Sequence, residues 1–153
     1  MNDEEFMQLA IQEAKKSKEA GGTPIGAVLV KDKKVIATGR SLVWPLKDPT
    51  AHGETQCLKS ACQKLQSLDL SGCTLYSTLE SCSMCLGCAG WCSLSKIVFG
   101  AFREDVEPNP YELDDYHAIE HAKRIKGLKV VAGVLQEECK ELMKNIQNWV
   151  SVK

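Results

Sequence analysis

A chain of 153 residues is the length of one ordinary domain and suffices to bury a core. With 44% hydrophobic and 25% charged residues and a formal net charge of −1, it has a globular composition and no global basic field to hold a polyanion. No apolar run approaches the roughly 20 residues that span a bilayer, and the start Met1-Asn2-Asp3-Glu4-Glu5 is acidic where a secretory signal is basic, so a cytoplasmic protein with no membrane partner is expected.

Residues 3–20 carry Phe6, Met7, Leu9, Ala10 and Ala14 at helical spacing and end at Gly21-Gly22, which predicts an amphipathic first helix with a glycine stop. Ile25–Val30 and Lys34–Gly39 read as two short strands around the charged turn Lys31-Asp32-Lys33. A loop over 40–50, with Pro45 and Pro49, leads to a helix over 51–65, with Thr50 as its expected cap. Leu75–Leu79 is a third strand, 83–92 a third helix and Lys96–Ala101 a fourth strand. After the turn-rich Pro108-Asn109-Pro110, a helix is expected over Leu113–Ile125, a strand over Leu128–Leu135 and a last helix over Glu137–Trp149. A helical crossover between the last two strands implies that they are parallel neighbours. The expected fold is therefore α/β, a three-layer α/β/α arrangement with a central five-stranded mixed sheet.

Eight cysteines then need a reason. In a reducing compartment, scattered cysteines are core residues and clustered ones suggest metal or catalysis. Cys57, Cys62, Cys73 and Cys139 are scattered, with Cys57 and Cys62 expected to be buried in the second helix; Cys82, Cys85, Cys88 and Cys92 are clustered. Two motifs open two predicted helices, His52-Gly53-Glu54 and Cys82-Ser83-Met84-Cys85. A catalytic zinc takes three protein ligands and leaves one position for water. His52, Cys82 and Cys85 meet that count. The helix dipole and unpaired N–H groups at a helix start favour the thiolate form. Zinc-bound water ionises near neutral pH, and Glu54, two residues from His52, is placed to carry the protons.

In these residues the chain resembles the cytidine deaminase superfamily, whose zinc signature is H-x-E followed by P-C-x-x-C. The likeness continues in Gly21–Val28, in Leu75-Tyr76-Ser77-Thr78-Leu79-Glu80 leading to the cysteines, and in Asp48–Glu54. That last stretch is similar to guanine deaminases and tRNA adenosine deaminases. Gly53, where alanine is commoner, is like fungal cytosine deaminase, in which that backbone N–H binds the base carbonyl. The resemblance implies one Zn2+ per chain, a single zinc-dependent deaminase domain over 1–153 and a homodimer packed through helices around the cysteine motif. It also implies Glu54 as the catalytic proton carrier, with Asp114 near the substrate and Trp149 closing on the ring. Two positions depart from the pattern. Ser81 replaces the proline before the first cysteine, and Ser41 stands where relatives hold the substrate ring with an asparagine. A hydroxyl cannot replace an amide's paired donor and acceptor, so Ser41 leaves zinc and chemistry intact but loosens the substrate assignment. The expected reaction is hydrolytic deamination of a nucleobase-like small molecule of guanine or cytosine type. Adenosine in a tRNA anticodon loop comes second, nucleic acid being the less favoured partner. The acidic residues Glu104, Asp105, Glu107 and Glu112 around Arg103 weigh against polyanion docking, while a local basic patch such as Lys123, Arg124, Lys126 and Lys129 would favour it.

Other readings compete. Cys-x2-Cys-x2-Cys-x3-Cys over 82–92 is also an iron–sulfur spacing, but it lacks the following proline and leaves His52 and Glu54 unused. Cys88 and Cys92 are more simply core residues. His117 and His121 flank Glu120 without forming the H-E-x-x-H of zinc peptidases, and a solvated or lid-facing role is expected of them in place of a second metal. Trp44, Phe102 and Tyr111 are alternative ring contacts, each with ordinary packing as the simpler role. A non-catalytic metal-binding module is the alternative from another class, and retention of Glu54 speaks against it.

Overall fold

The structure, a computed structural model, describes residues 1–106 and 117–146. Helix α1 (Asp3–Glu19) starts at a capping box, in which the Asn2 side chain accepts the Glu5 N–H at 2.9 Å and the Glu5 carboxylate accepts the Asn2 N–H at 2.7 Å. It ends just before Gly21, at φ +82°. Strands β1 (Gly26–Lys31) and β2 (Lys34–Arg40) form an antiparallel hairpin, and Asp32 and Lys33 both take positive φ at its two-residue turn. The loop expected over 40–50 contains a short helix α2 (Val43–Leu46), closed by Lys47 in the left-handed region. Then come α3 (Gly53–Leu65), β3 (Thr74–Leu79), α4 (Ser83–Trp91), β4 (Lys96–Ala101), α5 (Ala118–Ala122), β5 (Lys129–Val131) and α6 (Gln136–Leu142).

The five strands lie in the order β2-β1-β3-β4-β5. β1 is antiparallel to both β2 and β3, whereas β3, β4 and β5 run parallel, joined by α4 and α5 as crossovers. Period-2 alternation sorts the strand residues between two cores. Ala27, Leu29, Leu75 and Ile97 pack on one face with Cys57, Leu58 and Ala61 of α3 and Leu86 and Ala89 of α4. Val28, Val30, Tyr76 and Val98 pack on the other with Phe6, Met7, Ala10 and Ile11 of α1 and Cys139 of α6. This is the three-layer α/β/α arrangement with its last two strands parallel. No helix among the described residues is long and apolar enough to cross a membrane.

Four boundaries differ from the sequence expectation, each for a local reason. α3 begins at Gly53 with His52 as its N-cap; Thr50 is no cap, because its N–H and hydroxyl both donate to Asp48 Oδ1, at 2.8 and 2.7 Å. α5 stops at Ala122, after which Arg124 and Ile125 donate to carbonyls three residues back, tightening the chain into turns that run to Gly127. β5 pairs over only three residues, broken before Gly133 at φ +79°, and a single bond from Val134 N–H to Phe99 C=O follows. α6 closes at Leu142 through similar tight turns, with Asn145 in the left-handed region.

Candidate functional site

His52 and Cys82 are the N-cap residues of α3 and α4. An N-cap has extended backbone, so its side chain turns back across the helix start instead of running along the helix. His52 makes no side-chain capping bond, and its ring faces the cysteines instead. Cys82 Sγ accepts the Cys85 N–H at 3.5 Å. His52 Nδ1 lies 3.5 Å from Cys82 Sγ and 3.6 Å from Cys85 Sγ, and the three ligand atoms all fall within 4.8 Å of one another. A tetrahedral zinc with bonds of about 2.05 Å to nitrogen and about 2.3 Å to sulfur would separate the two atoms by roughly 3.6 Å. The donor set and its spacing fit that ion.

The electrostatics match the geometry. The buried Cys82–Cys85 pair shares a proton: Cys82 is held well below the usual thiol range by the hydrogen bond from Cys85, helped by His52 and the Cys85 N–H against burial. Cys85 is correspondingly pushed up by its hydrogen bond to Cys82 and by burial. Burial disfavours the charged His52 ring, but the bond to Cys82 and the charges of Glu54 and Cys82 outweigh it and the net direction is up; Arg103 opposes. Glu54, 4% exposed in the first turn of α3, is pushed up by burial and by the nearby Cys82, with His52 pulling the other way. A buried carboxylate raised towards neutrality beside a thiolate–imidazole cluster is suited to taking up and giving back a proton.

Residues 1–101 match the family described as the cytidine and deoxycytidylate deaminase zinc-binding region. The chain belongs to this family. It is a zinc-dependent deaminase, a hydrolase of C–N bonds. It is 40% identical over 139 residues to a tRNA-specific adenosine deaminase of Bacillus subtilis (strain 168), covering 90% of this chain and 83% of that one. It is 40% identical over 106 residues to a guanine deaminase of the same organism, covering 69% and 68%. A solved structure from a study of A-to-I editing by tRNA:A34 deaminases at the wobble position superposes with a TM-score of 0.77 at 31% identity, covering 90% of this chain and 98% of that chain.

The structure of this deaminase places other residues singled out from sequence as follows. Ser41 and Gly53 meet at one backbone group, since Ser41 N–H donates to Ile25 C=O at 3.0 Å and a Cβ on Gly53 would lie 3.1 Å from the same oxygen. Gly53 thus has a packing role in letting α3 approach the entry to β1. Ser41 is buried, and its carbonyl accepts the Ser17 hydroxyl at 2.6 Å. Ser81, between Glu80 and Cys82, is buried with no hydrogen-bond partner for its hydroxyl among the described residues. Asp114 and Trp149, with Tyr111, lie outside the described residues. Cys92 is buried and Cys88 half-buried, both against the α3–α4 core; Cys57 is buried as expected, while Cys62 is only half-buried, with its Sγ 3.8 Å from that of Cys92. Sequence reasoning missed Arg103, close enough to His52 for its charge to act there, and Glu80, whose carboxylate is buried. Neither carries a periodicity or ligand-spacing signal.

Proposed function

We propose that this protein deaminates adenosine in a tRNA to inosine, with one zinc per chain on His52, Cys82 and Cys85 and with Glu54 as the proton carrier in a single domain over 1–153. The observation that carries the reaction is the buried carboxylate of Glu54, placed two residues from His52 beside the imidazole–thiolate cluster. A structural zinc site has no use for such a group, which argues against a non-catalytic module.

A bound zinc supplies the activation of water as a nucleophile near neutral pH. Glu54 takes a proton from the attacking water and passes it to the ring nitrogen, so that the carbon gains oxygen. It then takes the remaining proton from the new hydroxyl group and delivers it to the amine as the C–N bond breaks, leaving a carbonyl on the ring and releasing ammonia. Burial favours the protonated state that Glu54 must reach midway. The Gly53 N–H, left without a partner within the helix at the first position of α3, is the proposed donor to the substrate ring, with Ser41 and Ser81 as further proposed contacts.

The choice of adenosine in tRNA over a free base rests on the relatives: several tRNA-specific deaminases align over 90% or more of this chain at 34–40% identity, whereas guanine deaminases align over 69% at 40% identity or over 92% at 25%. The exposed Lys123, Arg124, Lys126 and Lys129 offer phosphate contacts in agreement with it. A free purine such as guanine is the second reading, favoured by the net charge of −1. Ammonia release from an adenosine-containing anticodon stem-loop, guanine, cytosine and their nucleosides decides between them. Turnover of the stem-loop alone supports the proposal, turnover of a free base alone replaces it with the second reading, and no turnover by zinc-loaded protein on any of them refutes both.

A further inference from the structure

Helices α3 and α4 carry facing sulfur-bearing or ring side chains at both of their ends. At the starts, His52 Nδ1 lies 3.5 Å from Cys82 Sγ; at the far ends, Cys62 Sγ lies 3.8 Å from Cys92 Sγ. Cys62 opens the last turn of α3, and Cys92 is the C-cap of α4, its carbonyl held by the Leu70 N–H at 2.8 Å. A helix advances about 1.5 Å per residue, which puts the second contact about 15 Å from the first. Cys62 and Cys88 are half-buried and Cys92 is buried, with its thiol in hydrogen-bonding reach of both. These three sulfurs do not form a second metal site. Among the described residues, His52, Cys82 and Cys85 are the set whose three ligand atoms all fall within 4.8 Å of one another. Nor do Cys88 and Cys92 suit a bond to each other. Four residues apart on one helix, their Cβ atoms stand about 5–6 Å apart, and a disulfide needs about 3.5–4.5 Å. Cys62 and Cys92, on different helices, carry no such restriction. Closing their sulfurs to about 2.05 Å moves each by about 0.9 Å, a turn of about 30° in each χ1.

We infer that Cys62 and Cys92 are a site of reversible oxidation, which a small disulfide converts into a bond that clamps α3 to α4 at the end away from the metal. The half-buried Cys62 thiolate attacks one sulfur of the small disulfide, whose S–S bond breaks and releases one thiolate. The Cys92 thiolate then attacks the Cys62 sulfur and displaces the second. The two protein thiols give up two electrons and two protons, and the small disulfide leaves as two thiols. Burial pushes the Cys92 thiol up to about 12, with its cysteine neighbours acting in the same direction, so it is not the first to react. Its contact with Cys62 offsets the scarcity of its thiolate, because groups held in contact react with effective molarities of about 100,000 M or more. In a reducing environment the pair stays as thiols and closes only when an oxidised thiol pool supplies the small disulfide. The inference stands on the geometry of the two helices and holds whatever the substrate.

The test treats the zinc-loaded full chain with glutathione disulfide, blocks the remaining thiols with an alkylating agent and maps the unreduced peptides by mass spectrometry. The expected product is the folded protein less two hydrogen atoms, with the peptides of Cys62 and Cys92 joined, zinc content unchanged and full reversal by dithiothreitol. A bond that closes the segment between these residues should raise Tm by roughly 5–10 °C over the reduced protein. Cys62→Ser should abolish both the bond and the rise in Tm, and Cys88→Ser should keep both. The wild-type map decides the matter even where a variant fails to fold. A map dominated by Cys62–Cys88 or Cys88–Cys92 overturns the inference, as does glutathione held on Cys62 with no internal bond. Release of zinc with Cys82 joined to Cys85 overturns it too, and so does a Cys62–Cys92 bond that leaves Tm unchanged or lower.

Discussion

Replacing Gly39 with alanine adds one methyl group at a point where the structure has no space for it. Gly39 lies on β2 beneath the start of α3, and a Cβ there would sit 2.3 Å from Gly53 O, 2.4 Å from Cys57 N and 2.8 Å from Cys57 Cα. All three atoms are backbone of α3, so no rotamer change relieves the contact. Bringing the shortest distance to 3.0 Å, the floor that real Cβ contacts observe, moves the first turn of α3 by at least about 0.7 Å. That turn carries His52 and Glu54, so the shift misplaces a proposed metal ligand and the proton carrier together. A misplacement near 1 Å costs roughly 100-fold in rate, which sets the expected loss in kcat/KM for Gly39→Ala at about 30- to 100-fold. Overpacking also costs about 1–3 kcal/mol, a fall in Tm of roughly 3–10 °C for a domain of this size. Ammonia-release kinetics on the best substrate of the panel, with a thermal melt of the same sample, measure both. Thr38→Ala, exposed on the same strand, is the control and is expected to lose little of either. A Gly39→Ala protein with wild-type Tm and wild-type kcat/KM would refute the claim that β2 sets the position of the site through α3.

Further predictions follow from the same structure. Cys85→Ser removes one thiolate from the cluster, and metal analysis should show zinc well below one per chain with a lower Tm. Burial pushes the Cys139 thiol up to about 12, so at pH 8 only roughly one folded molecule in ten thousand carries the thiolate. A thiol-reactive dye should therefore label the half-buried Cys62 and Cys88 of the folded protein first and reach Cys57 and Cys139 only on denaturation; early labelling of Cys139 would contradict the α6–sheet packing. Trp91, 84% exposed at the end of α4, and Met84, 37% exposed at its start, offer an apolar face for the expected homodimer. Trp91→Glu should shift the sedimentation coefficient from dimer towards monomer; a wild type that sediments as a monomer would refute the dimer.

What could be read from the sequence follows the strength of the physical signal. The strands over 96–101 and 74–79 and the first helix were legible because buried strands and a capped amphipathic helix have strong patterns, and the parallel crossover followed from connection length. The metal cluster was legible because an imidazole and two thiolates at helix starts have few other uses. The C-terminal third was harder to read. The end of α5 is set by bonds to carbonyls three residues back, and the end of β5 by Gly133 at positive φ. Both are backbone choices that hydrophobic spacing does not encode. Thr50 had the right chemistry for a cap but was captured by Asp48 two residues earlier, a local competition that a cap rule cannot foresee. Gly53 looked like a substrate contact from the resemblance, and the structure adds a packing reason for it against Ile25. Glu80 gave no signal because its partners are backbone amides 23 and 38 residues away.

The central claim is that a buried carboxylate beside a zinc held by His52, Cys82 and Cys85 moves the protons of a deamination. Its most direct test is the turnover number of Glu54→Gln, measured with zinc content on the same sample. Glutamine keeps the shape and cannot carry the proton, so the account predicts zinc unchanged near one per chain and kcat lowered by about 100-fold or more. Wild-type turnover in that variant, with zinc still bound, would contradict it.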